Sequence, residues 1–176
     1  MATKEKIWLA FDHNNILYRF SELSDKILDY LALRKIVLGG RTSEQLFVYT
    51  GVSPSKNVYK RRKSRNDFYT FLIKNGFSVI TIPVKILPNG HYQEKGVDVR
   101  LALDCLEGAY EDQYNHLILI SGDGDFAPLI EKVKKYHKTV EIWAFRSGIS
   151  PRLSQLLGYR FVNFLDDKVN ELELVR

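Results

Sequence analysis

The sequence predicts an α/β fold in which helices cover both faces of a central, mostly parallel sheet of five to six strands. Short apolar runs without polar alternation, such as residues 7–11 (IWLAF) and 117–120 (LILI), are typical of strands buried on both faces. Stretches with apolar residues at helical spacing alternate with these runs. The 176 residues, 45% of them hydrophobic, fit a single domain over 1–176, because no linker or repeat divides them.

The first half of the chain alternates between strand and helix. Strands are predicted over 6–12, 45–50 and 77–83. Helices are predicted between them, over 16–33 and 55–75. The first helix is expected to break near 21–24 and to stop at the glycines 39–40, and Gly76 is the predicted stop of the second. Three apolar residues of the second helix are expected to face the core: Phe68, Phe71 and Leu72.

The second half continues the same alternation. Residues 84–95 are irregular, with a hairpin signal at 88–90 (PNG). Helices are then predicted over 96–110, 126–136 and 150–157. Strands are predicted over 117–120 and 139–145, and an edge strand over 160–164. The tail, 165–176, is expected to be short and polar.

The cysteine content and the hydropathy indicate the compartment. The single cysteine, Cys105, lies on the apolar side of the helix predicted over 96–110, which indicates a buried structural thiol rather than a nucleophile. A lone cysteine excludes an internal disulfide and fits a reducing compartment. No apolar run approaches the ~20 residues of a membrane span, and residues 1–6 lack the apolar core of a signal peptide. We therefore expect a cytoplasmic protein.

Positive charge is concentrated in one segment, although the net charge of the chain is only +5. Six basic residues fall within ten positions: Lys56, Lys60, Arg61, Arg62, Lys63 and Arg65. No acidic residue occurs between Glu44 and Asp67, so the cluster is denser than solubility requires and suggests a polyanionic partner such as a nucleic acid. Tyr59 and Tyr69 flank it and could stack on bases or ribose. A solvated helix face is the alternative interpretation.

Carboxylates from three segments are expected to meet at one edge of the predicted sheet. Asp12 ends the first strand, Asp98 lies in the first turn of a later helix, and Asp123 and Asp125 follow the strand at 117–120. In a doubly wound sheet the first and fourth strands flank the point where strand order reverses, and a crevice opens there. Close negative charges attract a cation, and oxygen ligands favour Mg²⁺ or Mn²⁺ over zinc. Taken singly, each aspartate could instead cap a helix or end a strand.

Other residues near this edge fit more than one role. Asn15 lies one helical turn after Asp12, where its amide could approach a metal ion or a phosphate. Ser121 could donate to Asp12 or to a phosphate, or could bond only to the backbone of its turn. The glycines at 122 and 124 allow a tight turn and leave space for an approaching ligand. His13 is the weakest candidate, because a lone histidine near a site is usually incidental.

Four segments form a specific pattern through their order and spacing: residues 11–15 (FDHNN), 94–104 (EKGVDVRLALD), 119–130 (LISGDGDFAPLI) and 153–164 (LSQLLGYRFVNF). Together they resemble the NYN domains, PIN-like nucleases that include the bacterial LabA-type proteins, over about 7–164. The resemblance implies a PIN-like, Rossmann-like parallel sheet and a ribonuclease site that depends on Mg²⁺ or Mn²⁺.

The resemblance also implies roles for individual residues. The metal-site acids of the family match four positions of this chain: Asp12, Asp98, Asp123 and Asp125. Asn15 matches the polar position that follows the first acid. Lys95 precedes the Gly-Val-Asp match, where it would approach the substrate phosphate; a surface lysine before a helix is the equal alternative.

These observations lead to one main functional hypothesis and two alternatives. The main hypothesis is a metal-dependent ribonuclease, an endonuclease, whose basic helix with Lys60, Arg61, Arg62, Lys63 and Arg65 guides the RNA backbone. The first alternative is an RNA-binding or regulatory protein without significant catalysis. A phosphatase of the haloacid dehalogenase type is disfavoured, because that chemistry needs a second aspartate where Asn14 stands. By analogy with PIN-like domains, a homodimer is expected.

Overall fold

A computed structural model describes residues 5–52, 59–86, 92–93 and 96–174, with the backbone alone at 59–63, 86 and 92–93. Its strands, in chain order, are β1 Ile7–Asp12, β2 Gln45–Val52, β3 Ser78–Pro83, β4 Lys85–Ile86, β5 Tyr92–Gln93, β6 His116–Ile120, β7 Thr139–Ala144 and β8 Val162–Phe164. The main sheet has the order β3-β2-β1-β6-β7-β8, and all its neighbouring strands are parallel. This arrangement confirms the predicted parallel sheet.

Helices connect the strands and cover the sheet. In the described ranges they are α1 His13–Ser21, α2 Tyr30–Leu38, α3 Tyr59–Lys74, α4 Val97–Tyr110, α5 Ala127–Lys135, α6 Pro151–Leu157 and α7 Val169–Leu172. The short strands β4 and β5 form an antiparallel pair between β3 and α4 in the chain, which agrees with the predicted hairpin, although its turn lies outside the described residues. No helix in the described part of the chain is long and apolar enough to cross a membrane.

Alternate residues of each central strand face two separate cores. In β1, Trp8 and Ala10 face a core that α4, α5 and α6 cover, whereas Ile7, Leu9 and Phe11 face a second core against α1 and α2. All six residues of β1 are buried, which explains why the strand is an unbroken apolar run. Helices therefore cover both faces, as predicted, and the Cys105 thiol of α4 is fully buried in the first core.

The strand order reverses between β1 and β6, and this point sets the position of the candidate site. From β1 the chain proceeds outward to β2 and β3 and then returns to β6 on the other side of β1. Phe11 pairs with Ile120, so the residues that follow them, Asp12 and Ser121, emerge next to each other at the carboxyl edge. Crevices at such reversal points are the usual ligand sites of open α/β sheets.

The predicted break in the first helix is confirmed and is wider than expected. Helix α1 ends at Ser21, and α2 begins at Tyr30 after Asp29. The Asp29 carboxylate accepts hydrogen bonds from the backbone N–H groups of Leu31 (2.8 Å) and Ala32 (3.1 Å). This capping stabilises the start of a new helix, because it satisfies amides that have no partner inside a helix.

Two predictions about burial were wrong. Phe71 is 43% exposed, because the buried face of α3 is carried by Leu72 and, in part, by Phe68. The tail after 164 is not merely polar: Leu165 and Leu172 are fully buried in the second core. The tail stays in place because the Leu172 carbonyl accepts a 2.8 Å hydrogen bond from the backbone N–H of Asp29, which ties α7 to the start of α2.

Gly108 lies in α4 against the buried Trp8 ring, and Gly108→Ala is expected to destabilise the protein. An added Cβ would lie 2.4 Å from two atoms of that ring. The ring is wedged against Phe47 and Tyr114, with centroids 5.1 and 4.9 Å away, so it has little freedom to move. Alanine favours a helix by about 1 kcal/mol over glycine, but overpacking costs about 1–3 kcal/mol. We expect a lower Tm in thermal denaturation and partial recovery in the Trp8→Phe background; a Tm at or above that of the wild type would contradict the packing.

Glu141 of β7, in register with Ile118 in the middle of β6, accepts several side-chain hydrogen bonds. Its donors are Arg41 (2.9 and 3.3 Å), His116 (3.1 Å), Trp143 (2.6 Å) and Asn163 (3.3 Å). Burial alone would raise the pKa of the Glu141 carboxyl, but the bonds from His116, Arg41 and Trp143 outweigh it and lower the pKa to about 2.

This depressed pKa predicts a loss of stability in acid. The folded state favours the charged carboxylate, so its contribution is present above pH ~4.5 and is lost as the pH falls toward 2. Allowing for solvent screening, we expect about 2 kcal/mol. Urea denaturation at a series of pH values should show a shallower acid-side fall for Glu141→Gln than for the wild type. Parallel pH profiles for the two proteins would show that the network contributes nothing.

Candidate active site

Asp12 is a buried carboxylate at the junction of β1 and α1. Only 5% of the residue is exposed. One carboxylate oxygen, Oδ1, accepts from the backbone N–H of Asn15 (3.4 Å) and so caps α1, while Oδ2 accepts from the Ser121 hydroxyl (2.9 Å). The apolar strand runs directly into the helix at this residue, and this places the charged side chain at the carboxyl edge of the sheet rather than in the core.

The turn after β6 is built around the Ser121 hydroxyl. Its O–H donates to Asp12, and its oxygen accepts from the backbone N–H of Asp123 (3.2 Å). Ser121 therefore makes both bonds within the protein that the sequence suggested, one to Asp12 and one to the backbone of its own turn. The Asp123 carboxylate in turn accepts from the backbone N–H of Asp125 (2.9 Å) and caps a short 3₁₀ turn. The side-chain oxygen of Asn15 accepts from the backbone N–H of Gly122 (3.3 Å). Together these bonds hold the starts of two loops in one position.

The glycines of this turn do not provide space for a ligand, and that expectation was wrong. A Cβ on Gly122 would lie 2.2 Å from the backbone oxygen of Gly148, and one on Gly124 would lie 2.6 Å from the Ser150 hydroxyl. The Ser150 backbone N–H also donates to the Gly122 carbonyl (2.9 Å). The loop before α6 therefore packs directly on the turn, and it fixes the aspartates from behind.

Electrostatics connect the acids of the three segments. The pKa of the Asp12 carboxyl is raised to about 6, mainly by burial and also by the negative charges of Asp98 and Asp123, against the lowering effect of the bonds from Ser121 and Asn15. Asp98, in the first turn of α4, is therefore near enough to repel Asp12. A cation at this edge would relieve that repulsion and favour the charged form of Asp12.

The acids differ in exposure. Asp123 is half-buried, whereas Asp98 and Asp125 are exposed. In the described part of the chain, no three acidic, histidine or cysteine side chains lie close enough together to form a complete metal cage. The donor set nevertheless fits Mg²⁺ or Mn²⁺, because these ions use one or two direct carboxylates and retain several waters. Asp12 and Asp123 would hold such an ion, with Asp98 and Asp125 nearby.

The sequence analysis missed a pocket beside Asp12. It has a volume of about 670 Å³ and lies between the start of α1, the segment 26–30, the end of β2 and the middle of α3. Tyr30 and Phe68 line it together with Arg65, the last residue of the basic cluster. The aromatic residues gave no signal in the sequence, because they follow the same helical spacing as ordinary core residues.

His13 belongs to this pocket rather than to the group of acids. Its Nδ1 is hydrogen-bonded to the Tyr30 hydroxyl, and burial lowers the pKa of its imidazole to about 4. The ring is therefore neutral at physiological pH and does not add a positive charge beside Asp12.

Some residues that the sequence singled out are not described. Lys95 and Lys56 lie outside the described residues. Helix α3 begins at Tyr59 and carries the backbone of Lys60, Arg61, Arg62 and Lys63, whose side chains are also outside the description. Arg65, Phe68 and Tyr69 place this helix across the pocket from α1, so its basic end lies at the same edge of the sheet as the acids.

The fold and this edge define a class of protein: α/β domains with a parallel sheet and carboxylates at the point where strand order reverses. A family model, the NYN domain, matches residues 6–163. The chain belongs to the NYN domain family, which is part of the PIN-like superfamily, and the predicted family is confirmed. NYN domains are generally nucleases that act on RNA, so membership supports a nuclease-like function.

A structural comparison supports the fold. The crystal structure of a protein of unknown function from Vibrio parahaemolyticus is similar to this chain, with a TM-score of 0.78, 24% sequence identity and 99% of each chain covered. At this identity the likeness concerns the fold alone. No match is found among curated proteins.

Proposed function

We propose that this protein is a metal-dependent ribonuclease that hydrolyses phosphodiester bonds of RNA at the carboxyl edge of its sheet. The observation that carries the proposal is the buried carboxylate of Asp12 at the reversal point, held near the negative charges of Asp98 and Asp123. Burying a charge beside like charges is costly, and a divalent cation offsets that cost. Membership of a family of nucleases supplies the reaction class.

The side chains of this edge have distinct roles in the proposal. Asp12 and Asp123 would hold Mg²⁺ or Mn²⁺ directly, with Asp98 and Asp125 beside them, and the ion would supply an acidified water and neutralise charge on the phosphoryl oxygens. Ser121 orients Asp12 through its 2.9 Å bond, and Asn15 fixes the turn through Gly122. In the net reaction, water adds to phosphorus and the phosphate–ribose ester bond breaks, with a proton passing to the departing oxygen.

The basic end of α3 would guide the RNA backbone. Helix α3 has no acidic residue in its first turn, and Arg65 faces the pocket beside Asp12. Phosphate contacts from Lys and Arg give affinity that does not depend on base sequence. Lys60, Arg61, Arg62, Lys63 and Lys95 would take this role along the strand that approaches the acids.

A cleavage assay tests the proposal. Purified protein is incubated with labelled single-stranded and structured RNA in Mg²⁺, in Mn²⁺ and in EDTA. We expect cleavage that requires the metal and falls at least about 100-fold in Asp123→Asn, whereas the exposed Asp25→Asn, a matched loss of one carboxylate, keeps full activity. Cleavage that persists in Asp123→Asn would point to a contaminating nuclease and would overturn the proposal.

The second candidate function is RNA binding or regulation without catalysis. The observation that favours it is the spacing of the acids, since the described residues hold no group of three that could hold an ion together. The two functions predict different effects of Mn²⁺ on RNA binding and different fates of the RNA. A regulatory protein would bind RNA with the same Kd in EDTA and in Mn²⁺ and would leave the RNA intact.

The dependence of binding on salt tests the role of the basic helix. Replacing Arg61, Arg62 and Lys63 with Ala should reduce the slope of log Kd against log salt by about 2, because each phosphate contact contributes roughly 0.7 for a single strand. The matched control removes three positive charges from the last turn of α5: Lys132, Lys134 and Lys135. Fluorescence anisotropy over a range of KCl concentrations measures both slopes. Equal slopes for the two variants would show that the cluster is only a solvated face.

Two broader expectations belong to the same proposal. The buried lone thiol of Cys105 fits a reducing compartment, which supports the cytoplasm as the place of action. Pairing of two copies remains a prediction by analogy with other PIN-like domains, and light scattering on the purified protein measures it.

A further inference from the structure

The pocket beside Asp12 has the size and lining of a small-molecule site. Its volume of about 670 Å³ falls within the range of roughly 300–1,000 Å³ that is typical of ligand pockets. The walls are mostly apolar and aromatic, and a few polar groups reach the interior. Phe68 is at the centre of the aromatic part, with ring centroids 5.5 Å from Tyr30, 5.9 Å from His13 and 5.8 Å from Tyr69.

The pocket is next to the acidic edge in both chain and space. His13 lines it and directly follows Asp12, and Thr50 and Gly51 line it from β2, the strand that pairs with β1. Tyr49, which precedes them, is in register with Asp12. A group that occupied this pocket would therefore be a close neighbour of a phosphate at Asp12.

The polar groups of the pocket favour a ligand that carries hydrogen-bond acceptors. Lys26 and Arg65 line it, and among its described lining residues none is acidic. The Nε of Arg65 is buried and, within the described part of the chain, has no hydrogen-bond partner. An unsatisfied buried donor is costly, and an acceptor on a ligand would satisfy it.

We propose that this pocket binds one unpaired nucleobase of the RNA strand, next to the phosphodiester that is cut at Asp12. The proposal rests on the proposed function and deepens it, because it restricts the substrate to RNA that is single-stranded at this nucleotide. The aromatic rings stack on the face of the base, which every base offers. Arg65 donates to a carbonyl or ring nitrogen on its edge, and Lys26 lies near the backbone.

A base must leave its helix to enter this pocket. Recognition of RNA by stacking and edge contacts uses unpaired nucleotides in loops, bulges and ends, whose bases can be splayed out. The pocket therefore distinguishes an unpaired strand from a duplex, whereas the basic helix contacts phosphates in both.

The test measures binding in EDTA, so that it does not depend on catalysis. The probes are a fluorescein-labelled ten-nucleotide single-stranded RNA, the same strand in a duplex, and the same strand with one abasic nucleotide. Tyr69→Ala and Arg65→Gln should each weaken binding of the single strand about 10-fold and change binding of the duplex less than 2-fold. Arg65→Lys, which keeps the charge but loses Nε, should resemble Arg65→Gln.

Matched controls separate the pocket from general effects on the surface. Tyr110→Ala and Arg152→Gln remove an exposed tyrosine and an exposed arginine elsewhere, and they should leave all three dissociation constants unchanged. Circular dichroism confirms the fold of each variant. Moving the abasic position along the strand should reveal one position where the Tyr69→Ala effect disappears.

Several results would overturn the inference. An equal loss for single strand and duplex would assign Tyr69 and Arg65 to the phosphate backbone, and unchanged binding would leave the pocket without a role in RNA recognition. Selective binding of a free nucleoside monophosphate, with no effect of the variants on RNA, would assign the pocket to a small molecule. Failure of the proposed function can be distinguished from failure of this inference. If the protein is not a nuclease, RNA stays intact in Mn²⁺, whatever effect the variants have on binding in EDTA.

Discussion

Asp12→Asn is expected to abolish RNA cleavage and, at the same time, to stabilise the metal-free protein at neutral pH. Loss of a metal-holding carboxylate should lower the cleavage rate at least about 100-fold. The gain in stability has a separate cause: the Asp12 carboxylate is 5% exposed and lies near the negative charges of Asp98 and Asp123. Asn keeps the shape and carries no charge; with its one acceptor oxygen facing Ser121 it keeps that bond and loses the weaker 3.4 Å bond from the Asn15 N–H.

The pH dependence follows from the direction of the shift. Because the pKa of Asp12 is raised from 3.8 to about 6, the folded state binds a proton more tightly than the unfolded chain. The contribution of Asp12 therefore becomes unfavourable as the pH rises from about 4 through 6, by about 3 kcal/mol in total. Asp12→Asn removes this dependence, so the variant should be more stable than the wild type at pH 7 but not at pH 4.

Differential scanning calorimetry in EDTA and in Mn²⁺ measures both effects. We expect a higher Tm for Asp12→Asn than for the wild type in EDTA at pH 7, and a Tm increase on adding Mn²⁺ for the wild type alone. Asp25→Asn, which removes an exposed carboxylate, controls for net charge. A metal-free Asp12→Asn protein that is less stable than the wild type at pH 7 would show that Asp12 acts mainly as a helix cap.

Gly122→Ala is expected to disrupt both the fold near the acids and the activity. The added Cβ would lie 2.2 Å from the backbone oxygen and 2.6 Å from the backbone carbon of Gly148. Backbone atoms cannot rotate away as a side chain can, so the turn or the loop before α6 must move. We expect a cost of about 3 kcal/mol, at the upper end for overpacking. Cleavage should fall as well, because the Gly122 backbone N–H holds the Asn15 amide and Asp123 follows directly.

Gly124→Ala is the matched control two residues away. Its Cβ would meet only the side chain of Ser150, at 2.6 Å from Oγ and 3.0 Å from Cβ. Removing that hydroxyl in Gly124→Ala/Ser150→Ala should restore much of the stability, whereas no single side-chain truncation should rescue Gly122→Ala. Chemical denaturation measures the free energies of unfolding. A Gly122→Ala protein with wild-type stability would show that the loop is not fixed against the turn.

The sheet could be predicted from the sequence because its strands are buried on both faces. Runs such as 7–11 and 117–120 are apolar without alternation, and this pattern, with helices between, is typical of parallel sheets. The same logic located the acids, since residues that follow neighbouring parallel strands must meet at one edge. The predicted proximity of Asp98 to Asp12 is consistent with its electrostatic effect on the pKa of Asp12.

Tertiary packing decided what the sequence left open. Gly122 and Gly124 suggested open space for a ligand, but a loop more than 20 residues later fills that space, and no local pattern encodes such a contact. Leu172 was missed because its four-residue helix is too short to show a helical period, and Leu165 lies before a three-residue 3₁₀ turn that is shorter still. The pocket was missed for a related reason: Tyr30 and Phe68 become neighbours only when α2 and α3 pack on the same face.

The most direct test of the proposed metal centre is to titrate the protein with Mn²⁺ and to measure the binding by isothermal titration calorimetry. In the proposed function the ion is attracted by carboxylates from three separate segments, so Asp12→Asn, Asp98→Asn and Asp123→Asn should each weaken Mn²⁺ binding at least about 10-fold, while Asp25→Asn leaves it unchanged. Binding that is equally strong in all four variants, or absent from the wild type, would contradict a shared metal centre at this edge of the sheet.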